Sequence, residues 1–110
     1  MNTRTIVVAS DFSPCPAGRY MDDGPYPGEA FRDNLLLPAI QANDKVIVDM
    51  NGTELAGSSF LEEAFGGMVR MGMSEAVLKK KMELRSSRSS DPIRIWRYIH
   101  EEDQRQKTNH

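Results

Sequence analysis

The chain is poor in the side chains that most often carry chemistry. One cysteine, Cys15, and two histidines, His100 and His110, are all that its 110 residues hold of those two types. A single cysteine excludes an internal disulfide and fits a reducing compartment. An excess of one charge is also missing. The 14 Lys and Arg against 16 Asp and Glu leave a net charge of −2, so nothing draws the protein as a whole onto nucleic acid or anionic lipid. No apolar run approaches membrane-spanning length, and the opening "MNTRTIVVASD" is too short in apolar residues for a signal peptide. There is no phosphate-cradling Gly-x-x-x-x-Gly-Lys, and the text around Ser59 is Ala-Gly-Ser-Ser-Phe rather than a Gly-x-Ser-x-Gly elbow. A serine nucleophile would need a base, yet His110 is the final residue and His100 follows Trp96 by one helical turn at the edge of a buried face. Asp22, Asp23 and Glu29 lack the alternating spacing of a calcium loop. The expectation is a cytoplasmic, soluble protein with no catalytic residues, no metal, no cofactor and no membrane segment.

What is present fits one small domain. The chain is 39% hydrophobic and 27% charged, which bounds it to a single modest core, here residues 1–105 followed by a polar, frayed tail, 106–110. "TRTIVVAS" (Thr3 to Ser10) is rich in β-branched residues and predicts a first strand. A stretch crowded with proline and glycine follows, with room for a second short strand near Ala17 to Met21. A helix is expected from Gly28 or Glu29, with Phe31 and Leu35 on one face and Pro38 kinking or ending it. "KVIVDM" (Lys45 to Met50) is a nearly continuous apolar run, as for a strand covered on both faces. Further elements are a helix at Ser58 and Ser59, a start signal at Ser74, a strand within Lys81 to Ser87, and a last helix with Asp91 as N-cap and Pro92 at its first position. Strands alternating with helices imply a small α/β domain, with a mixed sheet of about four strands flanked by helices.

The segment "GSSFLEEAFGG" (Gly57 to Gly67) is the most informative. Ser59 and Glu62 have the spacing of a capping box. Leu61, Ala64, Phe65, Met68 and Val69 supply a buried stripe, which places Ser59, Glu62, Glu63, Gly66 and Arg70 on the opposite side. An interior glycine costs about 1 kcal/mol relative to alanine, which a solvent-facing Gly66 gains nothing from unless another backbone approaches closely. Two readings stay open: an exposed docking face notched at Gly66, or tight packing and bending within the domain. The loop "GRYMDDGPYPGEAFR" adds Arg19, Tyr20, Asp23, Tyr26 and Arg32 as a second candidate surface, since function concentrates on loops held by a scaffold.

A strand ("KVIVDM"), a loop, paired serines at a helix entrance and an apolar helix resemble the STAS domain of anti-sigma factor antagonists. "PAGRYMDDGPYPGEAFR" followed by "GSSFLEEAFGGMVR" is more similar still to a bacterial STAS-like family of unassigned function, over roughly Ala17 to Arg70. The resemblance implies a non-enzymatic regulatory module that binds a protein partner, a histidine-kinase-like ATPase acting as anti-sigma factor. It also implies a phosphoserine switch at Ser59, with Ser58 as its neighbour and Gly57 where the antagonists have aspartate. The alternative expectation is a small-molecule or nucleotide-binding domain that uses the Arg19–Arg32 loop and the Ser58/Ser59 helix N-terminus.

Overall fold

Three strands form one sheet in the computed structural model, which describes residues 2–108. Strands β1 (Thr3–Val7), β2 (Lys45–Asp49) and β3 (Met82–Arg85) lie in chain order and are all parallel, with Ile6 beside Val48 and Val48 beside Leu84. Among the described residues the sheet is therefore parallel and three-stranded, where a mixed sheet of about four strands was expected. The strand expected near Ala17 to Met21 does not form, and a 3-10 turn occupies Met21–Asp23. Asp23 Oδ2 takes the N–H groups of Arg19 (2.9 Å) and Tyr20 (2.8 Å), which a ladder would have needed. Strand β1 also stops early, passing into a short turn, α1 (Val8–Asp11), from which Asp11 Oδ2 accepts the Val7 N–H at 2.8 Å.

Two helices carry most of the core, residues 28–42 (α2) and 58–70 (α3), and each widens into a π turn in its middle, at Arg32–Leu36 and Glu62–Gly66. In α2 the wide turn closes with the Leu37 N–H on the Arg32 carbonyl, immediately before Pro38. The extra residue in that turn makes room for the proline ring, so the helix neither ends nor breaks there and continues to Ala42. Helix α4 (Glu75–Lys81) starts as expected, with the Ser74 hydroxyl accepting from the Val77 N–H at 3.3 Å. Helix α5 (Ser90–Thr108) begins one residue before the expected cap, and Asp91 Oδ2 accepts instead from the Ser86 hydroxyl (2.8 Å) and Arg88 (2.9 Å). Its C-terminal turns are helical where a frayed tail was expected. Arg105 to Glu102 (2.6 Å) and Lys107 to Asp103 (3.0 Å) pair across successive turns. Asn109 and His110 lie outside the described residues.

Topology decides which sheet face is covered. Strands in sequential order, joined by the usual right-handed crossovers, send every connecting helix to the same side. Burial agrees: Ile6, Val46, Val48 and Met82 are buried in the core shared with the helices, whereas Lys45, Ile47 and Asp49 of β2 are only half-buried. Strand β2 was expected to be covered on both faces, and it is covered on one. The open face carries Thr3, Thr5 and Ile47, with Glu83 bonded to Lys45 (3.2 Å) and Arg85 (2.8 Å).

Helices α2 and α3 meet at a glycine. A Cβ on Gly28 would come within 2.5 Å of the Phe60 carbonyl oxygen and 3.0 Å of the Ala64 nitrogen, both backbone atoms that cannot swing aside. Gly28→Ala is therefore expected to destabilise the domain by about 2 kcal/mol in urea titration, the usual scale for overpacking. Gly57→Ala meets nothing beyond its chain neighbours within 4 Å and should cost less than about 1 kcal/mol, the margin by which glycine exceeds alanine as an N-cap. Equal effects at the two positions would contradict the close helix contact.

Candidate functional site

Helix α3 begins at Ser58, two residues earlier than a Ser59 cap requires, and Gly57 is its N-cap with no side-chain bond. The predicted capping box does not form, because Ser59 already lies inside the first turn and Glu62 has stronger partners. Glu62 Oε1 accepts from Arg19 Nη1 at 2.5 Å, and its Oε2 accepts from Arg70 Nη1 at 2.8 Å. Charge-assisted bonds of this kind are about twice as strong as one to a neutral amide. Both serines are exposed, and neither hydroxyl bonds to any group among the described residues.

The face expected to lie open is largely closed by the protein itself. Glu63 is only 6% exposed and Arg32 only 8%; Arg32 Nη1 donates to Glu63 Oε2 at 2.5 Å and to the Glu63 carbonyl at 3.1 Å. Gly67 is where the Arg32 guanidinium passes, since a Cβ there would overlap Nη1 and crowd Cδ. Gly66 lies under the Glu62 carboxylate, near the Tyr98 carbonyl of α5. The glycine pair is thus packed within the domain. These glycines form a recess for the domain's own charged groups, and the π turn widens the helix at the same place.

Named in order, the groups make an alternating ladder. Arg32 meets Glu63, which also accepts from Arg19 (3.2 Å) and Arg70 (3.4 Å); Arg70 then reaches Glu102 of α5 at 2.6 Å, and Glu102 accepts from Arg105. The structure thus brings together six predicted site residues, Arg19, Arg32, Glu62, Glu63, Gly66 and Arg70, but ties them to one another. The remaining loop residues lie outward. Tyr20 and Tyr26 are exposed, Tyr26 with its ring edge-on to Phe12 at 5.5 Å, and Asp23 caps the loop backbone. Phe12 in turn packs against Phe31 and Phe60, so the loop after β1 is anchored to the entrance of α3. The loop after β2 joins it through Glu54 N–H to the Pro14 carbonyl at 2.8 Å.

Three partners escaped the sequence reading: Glu102, and the exposed apolar Met21 and Leu55. Glu102 carried a legible signal. It follows Ile95 and Ile99 at helical spacing, an acid on an apolar stripe, and such a residue needs a buried cation. His100 bonds to Glu75 at 2.9 Å rather than to either serine.

The carboxyls of Glu62 and Glu102 titrate below their ordinary value. Burial acts to raise both; for Glu62 it is outweighed by bonds from Arg70 and Arg19, and for Glu102 by bonds from Gln106, Arg105 and Arg70. Arg70 is raised in turn, chiefly by its bond to Glu62. Because the folded carboxyls hold protons less tightly than unfolded ones, their contribution is complete above the ordinary glutamate value of 4.5 and is lost as the pH falls through the folded values.

The features define a class first: a small α/β domain whose paired serines stand exposed at a helix entrance, beside the C-terminal edge of a one-sided parallel sheet. The chain belongs to the family of STAS-like domains of unknown function, whose family model matches residues 27–91, more than half of its length. The match covers α2, β2, α3, α4 and β3 and leaves β1 and the Arg19 to Tyr26 loop outside it. No curated protein and no solved structure matches the chain.

Two outcomes test the ladder. Glu63→Ala removes the carboxylate from a buried guanidinium and is expected to cost about 3–5 kcal/mol of unfolding free energy in urea; a cost under about 1 kcal/mol, that of an exposed pair, would refute the burial argument. Stability followed by circular dichroism should fall as the pH drops below 4.5, and Glu62→Gln should flatten that slope. An unchanged slope would show that Glu62 is not part of the acid response.

Proposed function

We propose that this domain is a non-enzymatic regulatory module that docks a protein partner, a histidine-kinase-like ATPase, at the entrance of α3, and that phosphorylation of Ser59 switches the contact off. The observation that carries the reading is the exposure of Ser58 and Ser59 with both hydroxyls unengaged among the described residues. Exposed apolar side chains stand on the segments anchored there: Leu55 at 62%, Tyr20 at 54% and Tyr26 at 43%. Apolar surface left open on a small domain marks interaction sites. The docking surface is thus these loops and the helix entrance, not the glycine face, which the ladder closes.

The ladder also explains how one phosphate would act. A phosphoryl group on Ser59 would sit at the positive end of α3, where the first-turn N–H groups favour it, so the helix tolerates the modification. One turn later stands Glu62, held by Arg19. The new charge would repel that carboxylate and compete for Arg19, loosening the loop that carries Tyr20 at the same moment as it repels a partner matched to the neutral surface. The nucleotide-binding alternative has less support, because Arg19 and Arg32 are already bonded to glutamates. In addition, a cavity of about 330 Å³ lies elsewhere, between α4 and α5, lined by Ser74, Glu75, Lys79, Asp103 and Lys107.

The test is retention of the purified domain on immobilised histidine-kinase-like ATPases from the same genome. Ser59→Asp is expected to keep its circular dichroism spectrum and lose about tenfold or more in affinity, the scale of a like-charge clash at an interface. Equal binding by the folded variant would overturn the switch. Stabilisation of the free domain by nucleotide in a thermal shift assay would favour the alternative.

A further inference from the structure

Among the described residues the outer edge of β1 is open. Asn2 turns its carbonyl to β2, where the Lys45 N–H donates to it at 3.1 Å, whereas the Val7 N–H turns away from β2 to Asp11 Oδ2. Backbone groups alternate sides along a strand, so Arg4 and Ile6 serve the β1–β2 ladder, and the N–H and C=O groups of Thr3 and Thr5 point outward. No described residue bonds to them: β2 is the one strand paired with β1, and no side chain or loop reaches those atoms. Thr3, Arg4 and Thr5 are all exposed, and Arg4 has no ion pair among the described residues.

We propose that this edge receives an extended segment of a partner protein as a fourth strand, with an acidic residue of that segment set against Arg4. The occupant follows by exclusion and by charge. A second copy of this chain, paired antiparallel to β1 about a two-fold axis, engages the outward groups of both Thr3 and Thr5 within the strand in two registers. Centring on Arg4 sets two like charges directly opposite each other, which is destabilising. Centring on Thr5 requires the Val7 N–H, which Asp11 already holds. Self-pairing is therefore disfavoured at both of these registers, in the way natural edges are guarded. The guard does not block a different strand. Thr3 and Thr5 supply two donors and two acceptors in line, the main-chain bonds that give strand addition its affinity. Arg4, exposed and unpaired between them, supplies the charge that selects an acidic segment over a basic one. This site is separate from the serines at the entrance of α3 and does not rest on the function proposed for them.

The test selects ten-residue peptides from a displayed random library on the immobilised full chain and measures the affinity of the enriched peptides by fluorescence anisotropy. The expected result is an acidic, proline-free consensus. Thr5→Pro deletes only an outward N–H, a substitution that edge strands accept, and should weaken binding about tenfold. Arg4→Glu, folded by circular dichroism, should do so at least as strongly. Amide exchange at Thr3 and Thr5 of the unmodified protein should slow on peptide addition, a readout independent of either variant. Failure to enrich a peptide, binding indifferent to both substitutions, or a sedimenting dimer that Thr5→Pro dissolves would each overturn the proposal, the last by making a second copy the occupant.

Discussion

The contact between Arg32 and Glu63 organises this molecule. One guanidinium nitrogen donates both to the Glu63 carboxylate and to its backbone carbonyl, so the side chain of α2 is bonded to the main chain of α3 as well as to its charge. Both partners are almost wholly buried, which makes the pair costly to desolvate and far more costly to break from one side. The surroundings are shaped to it. Gly67 leaves space for the guanidinium, Gly28 lets the two helices touch backbone to backbone, and both helices widen into π turns where they face each other. From Glu63 the alternation of charges runs outward through Arg19 and Arg70 to α5, so the loop after β1 and the last helix are tied to the same centre.

That centre separates surface that is used internally from surface that is free. A charged helix side with small residues has the look of a docking face, and here its charges are satisfied by their own neighbours. What stays unengaged among the described residues is the serine pair in the first turn of α3 and the exposed aromatic and aliphatic side chains on the loops around it. These loops follow β1 and β2, at the carboxyl end of the parallel strands, which is where open α/β sheets present their sites. The regulatory reading belongs to that end of the domain. The uncovered edge of β1 is a second free surface of different character, made of main-chain groups.

Local signals in the sequence were reliable where the relevant partner was nearby in the chain. Ser74 caps α4, Lys45–Asp49 and Met82–Arg85 are strands, and Gly28 and Ser58 open helices, because turn chemistry, β-branching and helical spacing act over a few residues. The same signals misled where a distant group outcompeted a local one. Glu62 did not complete a capping box, since two guanidiniums from elsewhere in the chain bind it more strongly than a backbone N–H. Pro38 did not end its helix, since a widened turn before it absorbed the ring. The strand expected at Ala17 to Met21 was lost to Asp23, whose carboxylate gathered the backbone donors into a turn.

The sequence by itself determined the α/β class, the approximate order of elements, the stripe that α3 buries and the presence of paired serines at a helix entrance, all consequences of short-range spacing and composition. Only the tertiary structure decided that Glu63 and Gly66 face inward while Ser59 faces out, that β2 is covered on one side, and that β1 has no strand partner but β2 among the described residues. Those outcomes depend on which side the crossovers pass and on which charges meet across tens of residues. Spacing along one helix says which residues share a face, but what that face meets is set by the packing of the whole chain.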